Sequence, residues 1–377
     1  MPASGPGRRA LPRNVTVCYQ SGGHPASPGR SVFLPISPSP LERWFTTHPG
    51  PHAHSLAGTA AAAPAWDELA PLLAPGWERG IGLGYADPEG DGELRDRVAT
   101  MYGLPDRAHV LLTQGAVEAN WLALAALIEP GLRVVVQMPI YPQLPLVAAH
   151  LGANVVAWPY PWDLEALWPL LDGAGLLVLN TPHNPTGQVL NVALIRARAG
   201  CMVLVDEVYR GVGEAPIPPS ALSWGPDQVL VSGSMSKMFG LPGLRLGWLV
   251  GDPIAVAAAI PWREHTTLAL AGAATALGLA VWPKRYALLE ANHAILTRNR
   301  ARVLAWAGGR GQAPATAGVM LLEAADDVGI AERWYQEERG MVIPGTVCGF
   351  PGHLRLGFGH REPAALEAAL ASLSRFL

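Results

Sequence analysis

The chain has 377 residues, half of them hydrophobic, with 27 basic and 30 acidic residues and a formal net charge of −3. This length exceeds one average domain, so we expect one large and one smaller domain. The balanced charge gives no basic field for nucleic acid or an anionic membrane, which favours a small-molecule substrate. Three scattered cysteines make neither a disulfide framework nor a metal site, and no secretory signal pattern is recognised, so the cytoplasm is the expected compartment.

The N-terminal part of the chain is predicted to contribute little to the large domain. Residues 1–30 are rich in Gly, Pro, Ser and Arg without periodicity, which indicates a flexible arm. The spacing of Leu41 and Trp44 predicts a short amphipathic helix, and a second helix is predicted over Trp66 to Leu73. We expect residues 31–62 to join the small domain.

A series of short apolar runs, alternating with helical patterns, follows from about residue 91. These runs are too short for buried helices and too continuously apolar for exposed antiparallel strands, so they predict a largely parallel sheet with helices on both faces. The fold class is therefore α/β, with the large domain at residues 63–262. The predicted strands are Val110 to Leu112, Arg133 to Gln137, Val155 to Trp158, Leu176 to Leu179, Val203 to Val205, Val229 to Val231 and Leu246 to Val250.

The last third of the chain has a different pattern. Residues 263–305 are predicted to be connecting helices, and the apolar run within them, Leu268 to Trp282, is too short to span a membrane and predicts a packed helix. Short strand-like pieces near residues 319–323, 340–343 and 354–356 precede a closing helix. Residues 306–377 therefore predict a small α+β domain.

Lysine occurs only twice, at Lys237 and Lys284. Arginine cannot replace lysine in imine chemistry, because its guanidinium stays protonated whereas a desolvated lysine amine can become a nucleophile. A chain that avoids lysine should keep it where an amine is required. The neighbours of Lys237 favour such a role, whereas Lys284, between Pro283 and Arg285, is interpreted as a surface residue.

Polar residues follow the predicted strands at the edge where ligands of open α/β sheets bind. Gly115 and Ala116 follow Thr113 and open a helix, which suits a phosphate, although a plain threonine cap explains the pattern equally well. Asn184 lies in a rigid Pro- and Gly-containing loop, where its amide can donate to a phenolate oxygen or simply form a turn. Asp206 ends another strand and either pairs with a protonated ring nitrogen or caps a helix.

The most specific stretch surrounds Lys237. Ser234 and Ser236 precede it by three residues and one, and Arg245 follows it by eight. Two hydroxyls and a guanidinium in this arrangement can hold a phosphate while the amine stays free to meet an aldehyde.

Together these motifs resemble the fold-type I aminotransferases of class I/II, over about residues 84–358. The resemblance implies a pyridoxal-phosphate enzyme with a mostly parallel central sheet, sandwiched by helices, plus a smaller α+β domain. It implies that Lys237 carries the cofactor as a Schiff base and moves the substrate α-proton. It also implies that Ser234 and Arg245 hold the phosphate, together with Gly115 and Ala116.

The remaining predicted site residues are also implied by this resemblance. Asp206 is expected at the pyridine nitrogen and Tyr209, with Asn184, at the ring 3′-oxygen, so that Lys237, Asp206 and Tyr209 form the predicted catalytic set. Tyr141 is expected to stack on the ring, as an aromatic residue two positions after a proline. Tyr85 is expected to reach the phosphate of a partner subunit, which implies a homodimer with shared sites.

Substrate binding is predicted from three residues. The segment Leu354-Arg355-Leu356-Gly357-Phe358 resembles the one whose arginine binds the substrate α-carboxylate, and a bidentate guanidinium–carboxylate pair is a sound physical reason for Arg355; an ordinary surface arginine is the alternative. Gly58 is placed at the substrate pocket by analogy with a family segment, and Asn184 is expected to touch the substrate as well. No metal is predicted.

Three functions remain to be weighed. The amino acid and 2-oxo acid exchange of a transaminase ranks first, because Asp206 and Tyr209 keep the ordinary aminotransferase pattern. The stretch Pro40 to Trp44 and the loop around Asn184 are similar to capreomycidine synthase, so a pyridoxal-phosphate lyase or cyclase acting on a substituted amino acid is the alternative. A ligand-sensing regulator is disfavoured, because residues 1–30 supply no helix-turn-helix.

Overall fold

The computed structural model describes residues 36–213, 217–312 and 317–377, so the predicted N-terminal arm lies outside the described residues. The strands in these ranges are β1 His54–Ser55, β2 Val110–Thr113, β3 Arg133–Met138, β4 Asn154–Pro159, β5 Leu176–Asn180, β6 Met202–Asp206, β7 Val229–Ser234, β8 Gly247–Gly251, β9 Gly311–Gln312, β10 Val319–Glu323, β11 Gly340–Met341, β12 Ile343–Pro344 and β13 His353–Gly357. The α-helices are α1 Pro40–Thr47, α2 Trp66–Leu69, α3 Gly92–Tyr102, α4 Ala116–Leu127, α5 Gln143–His150, α6 Leu164–Leu167, α7 Val192–Ala199, α8 Pro253–Glu264, α9 Gly272–Val281, α10 Arg285–Ala307, α11 Asp327–Glu338 and α12 Pro363–Leu373.

The central sheet has seven strands in the order β2-β8-β7-β6-β5-β3-β4. Strands β3 to β7 pair in parallel, whereas β8 runs antiparallel to both of its neighbours. The predicted, largely parallel sheet is therefore confirmed. Parallel strands need crossover connections, and α5, α6 and α7 lie in three of them. In the fourth, the described residues between β6 and β7 form a short 3-10 turn, Ala221–Trp224.

Helices cover both faces of this sheet. Along β3 the side chains alternate between the faces, as a strand requires. Val134 and Val136 belong to an apolar cluster with residues of α4, α5 and α8, whereas Val135 belongs to the cluster on the other face with residues of α3 and α7. This double covering explains why the strands read as continuous apolar runs in the sequence.

The reversed strand β8 decides which residues meet at the sheet edge. Its first residue, Gly247, lies opposite both Thr113 at the end of β2 and Ser234 at the end of β7. Arg245, which stands two residues before the start of β8, is therefore brought to the same edge as the residues that follow the parallel strands.

A smaller unit contains an antiparallel sheet of order β12-β13-β10-β9 with α11 and α12 beside it. The N-terminal segment packs onto this unit: β1 pairs in parallel with β11, and the Trp44 indole in α1 donates to the Val342 carbonyl at 2.9 Å. These contacts support the predicted place of residues 31–62 in the small domain. That assignment and the other domain boundaries remain proposals.

One predicted helix limit was wrong. The helix expected over Trp66 to Leu73 ends at Leu69 and tightens into a 3-10 turn over Ala70–Leu72, where Pro71 has no amide to continue the α-helical ladder. Where connecting helices were predicted after residue 262, the structure has the end of α8, then α9 and α10, with Pro283 in the turn that separates the last two. Within the described ranges, none of the helices combines the length and apolarity needed to span a bilayer.

Candidate active site

A cavity of about 410 Å³ lies beyond the carboxyl ends of the central strands. Its wall combines residues from the large sheet with residues of α1, of the segment after β1 and of β13. The predicted site residues in this wall are Gly58, Ala116, Tyr141, Asn184, Asp206, Tyr209, Ser234, Lys237, Arg245 and Arg355.

Lys237 lies in the loop that follows β7 and is largely buried. Burial, followed by the positive charges of Arg355 and Arg245, lowers the pKa of the Lys237 amine to about 8. At pH 7 about a tenth of this amine is neutral, compared with well under a thousandth for an ordinary lysine. The amine is therefore prepared to act as a nucleophile or base near neutral pH.

Asp206 is buried at the end of β6, and two donors fix its carboxylate. The Asn120 side-chain amide donates to Oδ2 and the Val208 backbone amide to Oδ1, both at 3.0 Å. Burial raises the pKa of Asp206 in spite of these two bonds and of the nearby Lys237 amine. A cationic partner inside the cavity would stabilise the charged form of a carboxylate that is buried in this way.

Two side chains from other parts of the chain meet at the Tyr209 hydroxyl. The Asn184 amide donates to the Tyr209 oxygen at 3.0 Å, and the Tyr209 hydroxyl donates to Thr59 Oγ1 at 3.1 Å. Burial raises the pKa of Tyr209, while its bonds to Thr59 and Asn184 act in the opposite direction. The tyrosine is therefore protonated at neutral pH and available as a donor.

A buried histidine positions the loop that carries Asn184. His183 Nε2 donates to the Pro139 carbonyl at 2.8 Å, and His183 Nδ1 bonds with the Thr186 hydroxyl at 2.9 Å. Burial lowers the pKa of His183 to about 3, so the ring is neutral. This contact fixes the Asn184 loop relative to the residues immediately before Tyr141.

Donors also gather at the N-terminus of α4. Arg245 donates to the Gln114 carbonyl at 3.2 Å and to the Pro242 carbonyl at 3.1 Å, with a left-handed backbone φ of 51°. A Cβ at Gly115 would approach Arg245 Nη2 to 2.7 Å, so a larger residue would displace the guanidinium from this position. The Ser236 amide donates to the Ser234 hydroxyl oxygen at 3.3 Å, which fixes that side chain at the same end of the cavity.

The opposite wall carries Arg355, which is 2% exposed on β13. Its Nη2 donates to the Ala57 carbonyl at 3.1 Å, and its buried Nε has no partner in the described part of the protein. Tyr141 donates from its hydroxyl to Glu42 Oε1 at 2.9 Å, and burial together with Glu42 raises the pKa of Tyr141.

Two predicted residues lie outside the wall, and three wall residues were missed. Gly115 lies beside Arg245, and Tyr85, which is 94% exposed, does not line the cavity. Asn120, Thr59 and Glu42 contact predicted site residues but were not singled out in the sequence. The sequence did contain a signal for Asn120, because this polar residue interrupts the mostly apolar sequence of α4. The structure shows that its side chain is buried.

Comparisons with known proteins identify similar chains over both units. The family model described as "Aminotransferase class I and II" matches residues 78–373. Capreomycidine synthase from Streptomyces vinaceus is 32% identical over 310 residues, which are 76% of this chain and 79% of that protein. A histidinol-phosphate aminotransferase from Symbiobacterium thermophilum is 33% identical over 305 residues, 75% of this chain and 82% of that one. The crystal structure of the PLP-dependent cyclase OrfR in complex with Au is similar with a TM-score of 0.82 and 27% identity, over 94% of this chain and 99% of that chain.

Proposed function

The chain belongs to the class I and II aminotransferases, whose cofactor is pyridoxal 5′-phosphate, and from this premise we propose that it moves an amino group from an L-amino acid to a 2-oxo acid. One observation carries the proposal: the Lys237 amine shares a single cavity with Asp206, Asn184, Tyr209, Arg245 and Arg355. An amine with a lowered pKa, a buried carboxylate and two guanidinium groups are the set that this chemistry needs.

The residues present fit the cofactor. In the described part of the protein, Asn184 Oδ1 and Arg355 Nε are buried without hydrogen-bond partners, which is expected where a polar ligand belongs. The room that Gly115 leaves for Arg245, beside Ser234 and the N-terminus of α4, makes a cradle for an anion. We propose that Ser234, Arg245, Gly115 and Ala116 hold the phosphate.

The rest of the cavity would hold the ring. Asp206 would pair with the ring nitrogen, Asn184 and Tyr209 would donate to the ring 3′-oxygen, and Tyr141 would lie against the ring face. Asn120 would keep the Asp206 carboxylate oriented, because its amide already donates to Oδ2. When bound, the cofactor supplies an electron sink for charge that develops at the substrate α-carbon.

The protein supplies binding and proton transfer. Arg355 would bind the substrate α-carboxylate through a bidentate pair, which fixes the α-carbon relative to Lys237. Lys237 Nζ would attach the cofactor aldehyde in the resting enzyme and take the substrate α-proton during turnover. A pKa of about 8 places this amine close to the range where a base can both accept and return a proton at neutral pH.

A lyase or cyclase is the second candidate function. The observation that favours it is the similarity to capreomycidine synthase and to a PLP-dependent cyclase, each over three quarters or more of the chain. Both functions use the same residues as far as removal of the α-proton, and they differ in whether a substituent is then expelled from the substrate side chain. The residues that bind the cofactor are common to both.

We also propose a homodimer in which Tyr85 reaches the phosphate of the partner subunit. The support is the 94% exposure of Tyr85 and the 97% exposure of Leu83 two residues earlier, because large apolar side chains presented together favour an interface. A cytoplasmic location stays part of the proposal, on the sparse use of cysteine.

The test combines a spectrum with a covalent map. Purified protein, loaded with pyridoxal 5′-phosphate, should show a near-visible absorption band that Lys237→Ala abolishes and Lys284→Ala leaves intact. Reduction with borohydride and peptide mass analysis should place the adduct on Lys237, an assignment made simple by the presence of only two lysines. A wild-type protein without the band, or with the adduct on Lys284, would show that the site assignment is wrong.

Substrate panels then separate the two candidate functions. A panel of amino acids that includes arginine is added to the loaded protein, with and without a 2-oxo acid. An amino product that forms only with the acceptor supports transamination. Ammonia release or ring closure without an acceptor would favour the lyase or cyclase instead.

A further inference from the structure

Thr59 lies outside the set of residues predicted for the site, yet its hydroxyl contacts the centre of that set. We propose that Thr59 is a positioning residue that strengthens the hydrogen bond of Tyr209 toward the cofactor 3′-oxygen. The inference rests on the proposed function, and in particular on the proposed place of Tyr209 at that oxygen.

The contact is buried and lies in the cavity wall. Thr59 is 6% exposed and Tyr209 is also 6% exposed. Their hydroxyl oxygens are 3.1 Å apart, and the Asn184 amide nitrogen is 3.0 Å from the same tyrosine oxygen. The Tyr209 oxygen therefore has two polar neighbours before any ligand is considered.

The number of protons decides the direction of these bonds when the cofactor is bound. A tyrosine hydroxyl has one proton to donate, and a threonine hydroxyl can both donate and accept. An anionic ring oxygen is a stronger acceptor than a neutral threonine hydroxyl, so Tyr209 would donate to the ring oxygen. Thr59 would then donate to the Tyr209 oxygen, and a donor at that oxygen makes the tyrosine itself a better donor.

The backbone of the smaller unit fixes the position of Thr59. Its carbonyl accepts from the Gly318 amide at 3.0 Å, and a Cβ at Gly318 would come within 3.2 Å of that carbonyl. Two residues earlier in the same segment, the Ala57 carbonyl accepts from Arg355. The Thr59 hydroxyl is therefore held at Tyr209 by packing that involves neither α4 nor the Lys237 loop.

The expected effect is a change in the proton affinity of the group linked to Lys237. A strong donor at the ring oxygen stabilises the more negative form, in which the Lys237 nitrogen has lost its proton. Thr59→Val keeps the shape of the side chain and removes the hydroxyl, so the tyrosine becomes a weaker donor. We expect the pH midpoint of the cofactor absorption band to rise by roughly half a pH unit to one pH unit in this variant.

The experiment is a spectroscopic pH titration of the loaded protein, which needs no turnover. Wild type, Thr59→Val, Thr59→Ser and Tyr209→Phe are compared, with circular dichroism as the check on folding. Thr59→Ser should restore the wild-type midpoint, because it returns the hydroxyl, whereas Tyr209→Phe should raise the midpoint further than Thr59→Val. If Thr59→Val does not fold, Thr59→Ala replaces it, because alanine also lacks the hydroxyl group and its smaller side chain does not have to fit against the neighbouring residues.

Failure of this inference and failure of the proposed function give different results. A wild-type midpoint in Thr59→Val, together with a shifted midpoint in Tyr209→Phe, overturns the role of Thr59 and leaves the proposed function intact. A shift in Thr59→Val that Thr59→Ser does not reverse also overturns it, because a packing effect then explains the shift. No shift in Tyr209→Phe overturns the placement of Tyr209 and the inference with it, and a wild-type protein without the band overturns both proposals.

Discussion

Burial shifts the pKa values of the basic and acidic groups of this cavity in opposite directions. It lowers the pKa of the Lys237 amine and raises the pKa of the Asp206 carboxyl, because a medium of low polarity disfavours the charged form of each. Arg355 and Arg245 lower the lysine pKa further. The same packing that excludes water therefore makes the Lys237 amine more reactive. It also means that a cationic partner would stabilise the charged form of Asp206.

The lowered lysine pKa leads to a prediction for the cofactor-free protein. Pyridoxal with borohydride should label Lys237 at a rate that rises about tenfold per pH unit and levels off above pH 8, because only the neutral amine reacts. The measurement is the mass of the labelled peptide at each pH. Exposed Lys284 in the same digest serves as the internal reference, and a Lys237 rate still rising steeply above pH 9 would contradict the assigned pKa.

At the scale of elements, the site depends on where strands end and which way they run. Asp206 ends a parallel strand and Asn184 and Lys237 follow two others, so their common position at one sheet edge follows from strand direction. Arg245 reaches the same edge for a different reason, because it precedes the reversed strand β8. The sequence predicted the residues that follow strands, but the reversal of β8 comes from strand pairing.

A prediction at this scale concerns the glycine that opens α4. Gly115→Ala should weaken cofactor affinity by at least about tenfold, because the backbone φ of 81° disfavours a side chain and the added Cβ would meet Arg245 Nη2 at 2.7 Å. The measurement is the dissociation constant for the cofactor by equilibrium titration of the apoprotein.

The control for Gly115→Ala is the same substitution at a glycine that has a similar positive φ but enough space for an added Cβ. Gly131 has a φ of 89° with nothing within 4 Å of an added Cβ. Gly131→Ala should lower stability to urea while leaving cofactor affinity unchanged. Equal losses of affinity in the two variants would mean that backbone strain, and not the contact with Arg245, explains the effect.

At the scale of the whole molecule, two units and the segment before the large sheet share one cavity. Arg355 comes from the smaller unit, Gly58 and Thr59 from the N-terminal segment, and the remaining wall mainly from the large sheet. Tyr85 projects from the described surface, where the proposed partner subunit would lie. The complete site would then need two copies of the chain.

Hybrid dimers test this arrangement. Lys237→Ala subunits and Tyr85→Ala subunits are each expected to have little activity at limiting cofactor, but a hybrid of the two contains one site with both Lys237 and the partner's Tyr85. An equal mixture after subunit exchange should recover about a quarter of the wild-type activity, since half of the dimers are hybrids with one intact site each.

The mixture must also be compared with the two parents. Sedimentation should show dimers for wild type and both variants, so that a lost interface is not mistaken for a lost contact. Activity of the mixture equal to the mean of the two parents would mean that Tyr85 acts within its own subunit or not at all.

The sequence by itself determined the α/β class and the group of polar residues at the strand ends, and its resemblance to a known family implied the cofactor. These follow from patterns local to the chain: apolar runs of strand length, a lysine flanked by serines and an arginine, and polar residues directly after each run. Ten of the predicted site residues lie in the cavity wall, and their individual roles remain proposals.

The tertiary structure decided which distant side chains support that group. Asn120 meets Asp206 across 86 residues, Tyr141 meets Glu42 across 99, and Tyr209 meets Thr59 across 150. A short polar side chain has many possible hydrogen-bond partners in a sequence. The tertiary packing determines which of these partners it contacts. The Ala-rich sequence that follows Thr59 has no pattern that predicts such a contact, yet in the folded chain the Thr59 hydroxyl contacts Tyr209, which we place at the cofactor.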